Sequence, residues 1–232
     1  MKDDFSHVLA APWARVILLT VYLEGLFLYG PFAFFATHLH QQFDMSLSAA
    51  GLVVMLFGAG GFAYALGSRR LVSALGEAGL ARGGGIVMTL ALLAMAFAPA
   101  WWWALLASLA TGLGFYMMHN TLQVNATQMA PARRGAAVAS FASCFFLGQS
   151  TGVALAGRLV ESIGTAWLMA SGALGLLLVS AAFARKLRQR PSQNARDARD
   201  ARDAPGAELS PWPGRQQPAR GRRESGRRWW SG

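Results

Sequence analysis

Charge is scarce in this sequence. Asp, Glu, Lys and Arg make up 14% of its 232 residues, against roughly 25% in an average soluble domain. Hydrophobic residues reach 54%, so the composition points to lipid as the surrounding solvent. Cysteine is nearly absent as well. The single Cys144, inside the apolar run FASCFFLG, excludes an intrachain disulfide framework and a multi-cysteine metal site, and reads as a small packing residue. No stretch shows the ten-residue alternation of a membrane β-barrel. The first apolar run is expected to be a retained span and not a secretory signal: Asp3 and Asp4 precede it, Val16 to Ala36 is too long for a signal core, and no small-x-small site closes it.

The histidines exclude one enzymatic arrangement. Six-helix membrane serine proteases combine a G-x-S-G serine with a later histidine. Here the nearest match, Met169-Ala170-Ser171-Gly172, lacks the leading glycine, and His7, His38, His40 and His119 all precede it. No metal-ligand spacing or phosphate-binding glycine loop takes its place. The expectation is a protein that is not an enzyme and holds no metal or cofactor.

What is present is a series of six apolar segments, each near the length of about 20 helical residues that crosses a bilayer. They run from Pro12 to His38, Leu47 to Ser68, Gly83 to Ala98, Trp101 to Val124, Gly135 to Gly157 and Thr165 to Phe183. The connections HQQFDMS, RRLVSALGEAGLAR, APA, QMAPARR and RLVESIG are short, which forces antiparallel neighbours. The expected fold is an all-α membrane protein, a six-transmembrane-helix bundle over residues 12–185. A short N-terminal segment, 1–11, precedes it and a disordered basic tail, 186–232, follows.

Arginine placement sets an expected orientation. Arg69, Arg70 and Arg82 mark the second connection, Arg133 and Arg134 the fourth, and Arg185, Lys186, Arg188 and Arg190 the exit from the last segment. Both termini are therefore expected in the cytoplasm. Trp101, Trp102 and Trp103 then fall at the outer interface, where indole is favoured. His38 and His40 are expected at the outer mouth, in contact with solvent. The stretch from 185 to 232 holds 13 Lys+Arg and 5 Asp+Glu, a net +8. Its Ala-Arg-Asp triplets and its Pro, Gly and Arg have too little apolar surface to offset ordering entropy. Its arginines suit anionic lipid, with Trp229 and Trp230 at the interface; without a folded platform, no nucleic-acid reader is expected.

Several residues stand out against the apolar background. Glu24 lies near the middle of the first span, where an isolated carboxylate costs at least ~2.5 kcal/mol. It is either a proton or substrate group in a polar pathway or a structural acid bonded to neighbouring helices. No cationic partner is evident at its depth. Gly25, Gly30 and Pro31 loosen the same helix, as a gating hinge or a static bend. On the fourth segment Gly112, Tyr116, His119, Asn120 and Gln123 lie mostly on one helical stripe, polar enough to line a cavity. His119 suits a proton shuttle, or a neutral imidazole bonded between helices. Gln149 and Ser150 on the fifth segment suit the same interior. Small residues favour close helix crossing: Gly51, Gly58, Gly60, Gly61 and Gly67 on the second segment, and Gly148 with Gly152 in G-x-x-x-G spacing on the fifth.

The order of these motifs resembles the C-terminal six-helix half of a major facilitator superfamily transporter. VYLEGLFLYGPFAFFATHL and FDMSLSAAGLVVMLFGAGG are similar to the seventh and eighth spans of bacterial drug or metabolite exporters. LGSRRLVSALGE, with Arg69 and Arg70, looks like a degenerate form of the family's cytoplasmic loop and lacks the usual Asp-Arg pair. Pro131, Arg134 and Gly135 match the family's Pro-x-x-Arg-Gly loop, and Val153 stands where the related antiporter motif has proline.

The resemblance covers about residues 12–185. It implies secondary transport of a small-molecule substrate across a bacterial inner membrane, with efflux coupled to protons. Complete family members carry two six-helix halves around a central site, and the sequence resembles one. The resemblance therefore implies a half-transporter that forms a homodimer or works with a second half-transporter. The alternative is a non-transporting assembly or scaffold subunit of the lipid bilayer.

Overall fold

The structure, a computed structural model, describes residues 11–130 and 133–203, with side chains as far as Arg190. Among the described residues there are five helices and no strand: α1 Pro12–Phe32, α2 Phe35–Phe43, α3 Leu47–Phe97, α4 Trp103–Gln128 and α5 Arg134–Asp203. The expected all-α class is what these elements form.

Pro12 opens α1 at a position where its missing N–H costs no helical bond. Pro31 acts at the other end. The helix stops at Phe32, and the N–H of Phe34 turns to the Pro31 carbonyl at 3.0 Å, a tighter turn than α-helix. The chain resumes as α2 and ends at Asp44, whose φ of 52° is left-handed. The apolar run expected to close at His38 thus extends to Phe43 after a two-residue break.

α3 has 51 residues, more than twice what one crossing takes at about 20 residues. It breaks at Gly76, with φ 62° and ψ 178°, a region essentially closed to residues with a Cβ. α5 breaks in the same manner at Gly164, with φ 76° and ψ 164°. The loops expected over RRLVSALGEAGLAR and RLVESIG are therefore helical on both sides of a single glycine. Ala, Leu, Arg and Glu are good helix formers, and nothing before the glycine stops the turns. Arg69 and Arg70 consequently sit on a helix, exposed, rather than in a loop.

Among the described residues, three stretches are long and apolar enough to cross a membrane: Pro12–Phe43, Leu47–Phe97 and Arg134–Arg190. α4 has the length, at 26 residues, but His119, Asn120, Gln123 and Asn125 lower its hydropathy.

Packing of α1 on the first part of α5 rests on facing glycines. A Cβ at Gly25 meets the backbone of Phe145 and Gln149, and one at Gly30 meets the Gly152 carbonyl. In return, Gly148 lies on the Tyr22 carbonyl and Gly152 on that of Leu26. The G-x-x-x-G pair and the α1 glycines are thus two sides of one crossing, where backbones touch because side chains are absent. Gly61 lies under the Tyr116 ring, whereas Gly58 faces open space. Cys144 is half-buried against the core, in keeping with a packing role.

A second unit begins at Ser192, and its backbone is helical to Asp203. Disorder was expected from residue 186 onward. Among residues 192–203, Ala and Arg, three of each, favour helix. Residues 204–232, with Trp229 and Trp230, lie outside the described residues, as do 1–10 and Pro131.

Candidate functional site: a buried Glu24 and His119 pair

Glu24 is completely buried, with 0% exposure. It directly precedes Gly25, one of the glycines at which α5 crosses α1. Its Oε2 lies 2.8 Å from Nδ1 of His119 on α4. The sequence shows no cationic partner at the depth of Glu24; the structure brings His119 there. Residues 24 and 119 are far apart in the chain, and only the packing of α1 on α4 brings them together.

A hydrogen bond at this distance needs one proton between the two atoms. Either His119 donates from Nδ1 to a carboxylate, or a protonated Glu24 donates from Oε2 to the ring; the heavy atoms stay where they are. Oε1 of Glu24 is buried without a hydrogen-bond partner. A buried acceptor left unpaired costs about 1–3 kcal/mol, so an acid kept only for structure would be expected to have both oxygens bonded.

Aromatic rings enclose the imidazole. Phe115, one turn before His119 on α4, stacks on it with centroids 4.7 Å apart and planes at 26°. Phe145 from α5 approaches to 4.7 Å and Phe141 to 5.3 Å. Tyr29 closes the group from α1, edge-on to Phe115 and Phe145 at 5.9 and 5.5 Å. The side chain of His119 keeps 15% exposure while that of Glu24 has none. The imidazole is thus the more accessible member of the pair.

The polar stripe on α4 divides. His119 turns inward to Glu24, whereas Asn120 and Gln123 line a separate groove of about 540 Å³ with Tyr64, Ala65, Ser68, Val124 and Thr127. Tyr116 lies between the two, half-buried, with its ring on Phe57 and Phe115. Gln149 is half-buried at the α1 crossing and Ser150 is exposed. Arg134 and Gly135 are exposed at the start of α5.

His38 corrects an expectation. It is buried, and its Nδ1 is 2.8 Å from the Thr165 hydroxyl, the residue after the Gly164 break. The α2 segment folds it inward against α5, away from solvent. His40 is exposed and donates from Nδ1 to the Met45 carbonyl at 2.8 Å. Trp101, Trp102 and Trp103 are exposed, the last two stacked at 4.7 Å.

A second polar cluster escaped the sequence reading. Buried Asn125 donates to Glu77 at 3.0 Å, and its carbonyl oxygen accepts from Arg190 at 2.8 Å. The Arg190 guanidinium also lies 4.6 Å over the Trp13 ring.

The model of the Major Facilitator Superfamily matches residues 17–224. The chain belongs to this superfamily. Its members are transmembrane transporters, and together with the apolar helices this makes the chain an integral membrane protein. The superfamily match runs past residue 185, where the resemblance in sequence motifs ends. No curated protein and no solved structure matches the chain significantly.

Proposed function

We infer that the chain is a proton-coupled secondary transporter of a small solute, working in efflux, and that the Glu24/His119 pair is its proton site. The carrying observation is a fully buried carboxyl with one oxygen bonded to a mostly shielded imidazole and the other unpartnered. Such a group binds and releases a proton without a change in covalent structure. Its charge also changes what the surrounding helices can bury. An inert assembly subunit has no use for an unpaired buried acceptor.

In this reading the breaks at Gly76 and Gly164 serve as turns between six spans: 12–43, 47–75, 77–97, 103–128, 134–163 and 165–190. Both ends then lie on the cytoplasmic face of a bacterial inner membrane, as the arginines suggest. Tyr64, Asn120 and Gln123 offer the solute hydrogen bonds along a groove that is open on one side. A second six-helix body is needed to enclose it, either a second copy or an N-terminal half. Gly25, Gly30 and Pro31 serve as the joint on which α1 moves.

The test uses vesicles containing the full chain under an imposed proton gradient. Glu24→Gln keeps the size and the hydrogen bond to His119 but cannot lose a charge-changing proton. Gradient-driven transport is expected to fall to background while solute exchange without a gradient persists. Gradient-driven transport by Glu24→Gln at the wild-type rate would falsify the coupling role.

A further inference from the structure

A cavity of about 150 Å³ lies between the start of the second half of α3 and the end of α5, lined by Arg82, Ala181, Ala184, Arg185 and Arg188. Three of its five lining residues are arginines. Among the described residues no carboxylate lines it, and none of the three guanidinium groups has a hydrogen bond or ion pair there. Uncompensated cations converging on one small space repel each other unless an anion joins them.

The floor is built for close approach. Ala181, Ala184, Arg185 and Arg188 recur at i, i+3, i+4 and i+7, one face of a helix. The two helices touch just beyond the cavity, where a Cβ at Gly85 would collide with Ser180. The gap therefore narrows into the bundle and opens toward the end where the arginines stand. Guanidinium groups bind phosphate oxygens through paired N–H donors, so the matching ligand chemistry is a phosphate group.

The apolar surface below the cavity decides between sources of that phosphate. Ile86 and Leu90 follow Arg82 at i+4 and i+8, and both are exposed. Leu174 and Leu178 precede Arg185 on the Ala181 face and are exposed too. Arginines at the end of an apolar span, above leucine tracks on both walls, have the outline of one phospholipid: phosphate at the headgroup level and acyl chains along the helices. We propose that Arg82, Arg185 and Arg188 form a binding site for the phosphate of an anionic phospholipid. This inference is independent of the transport reading.

The full chain, purified in detergent and stripped of lipid, would be titrated with phosphatidylglycerol, with phosphatidylcholine and with inorganic phosphate, and bound lipid counted by native mass spectrometry. The expected result is one retained phosphatidylglycerol per chain in preference to phosphatidylcholine. Arg185→Ala/Arg188→Ala should weaken that retention roughly 30-fold, from about a fivefold loss per guanidinium. The charge-matched Arg69→Ala/Arg70→Ala, outside the cavity, should leave it within about twofold of wild type. Equal retention of the two lipids by the wild-type chain would overturn the proposal, and this arm needs no variant to fold. Equal losses in the two double variants would reduce the effect to bulk charge. Competition by inorganic phosphate at the same concentration as the lipid would make the site one for free anions and overturn the lipid assignment.

Discussion

Gly148 on α5 lies against the carbonyl of Tyr22 on α1, two residues before Glu24. The closest backbone contact between these helices and the buried acid therefore share one turn of α1. A change that separates the backbones at this point is therefore expected to alter the surroundings of Glu24 as well.

Gly148→Ala tests that coupling. The added methyl meets Tyr22 backbone, which cannot swing aside as a side chain does, and overpacking of this kind costs about 1–3 kcal/mol. Gly58→Ala is the matched control, since its Cβ faces open space and alanine gains up to about 1 kcal/mol in helix propensity. Thermal unfolding in detergent should show Gly148→Ala destabilised and Gly58→Ala unchanged or stabilised. Equal shifts in the two would mean that the α1/α5 crossing does not carry the packing described.

His119→Ala should be the more damaging half of the proton pair. It leaves both carboxyl oxygens of Glu24 buried and unbonded, an added cost of about 1–3 kcal/mol, and removes the ring on which Phe115 stacks and against which Phe145 lies tilted. The double variant Glu24→Gln/His119→Ala should lose less than the sum of the two single changes, because the pair acts as a unit. Additive losses would show that the 2.8 Å contact contributes no coupling energy.

Much of this was legible from the sequence, for physical reasons that differ by residue. Glu24 was visible because an acid in an apolar run is costly in any fold, and Gly148 with Gly152 because their spacing fits one helix face. The partnership of Glu24 with His119 was not: it is a contact across 95 residues that depends on how α1 and α4 cross. Phe115 left a trace, since it lies one turn before His119, but an aromatic among many others gives no signal until the imidazole's direction is known. Helix ends were misplaced at Gly76 and Gly164 because a single glycine in an extended left-handed conformation does the work usually given to a loop. His38 was misjudged for a similar reason: its burial follows from the break after Pro31, which turns α2 back onto Thr165.

Asn125 joins three helices that the sequence gives no reason to connect. Its amide donates to Glu77 just after the α3 break and to the Thr121 carbonyl, while its oxygen receives Arg190 from the end of α5. Arg190 in turn covers Trp13 at the start of α1. Asn125 is buried and Glu77 is exposed, so the two ends of this chain of bonds should respond unequally. Asn125→Leu keeps the branching at Cγ with a larger side chain but leaves Arg190 without its acceptor, and a loss of about 1–3 kcal/mol is expected. Glu77→Gln retains an oxygen able to accept from Asn125 and loses only an exposed charge, for a change of less than about 1 kcal/mol. Unfolding of each variant in detergent measures both numbers. If Glu77→Gln were the more destabilising of the two, the cluster would be held by the surface charge and Asn125 would be a bystander rather than the bridge.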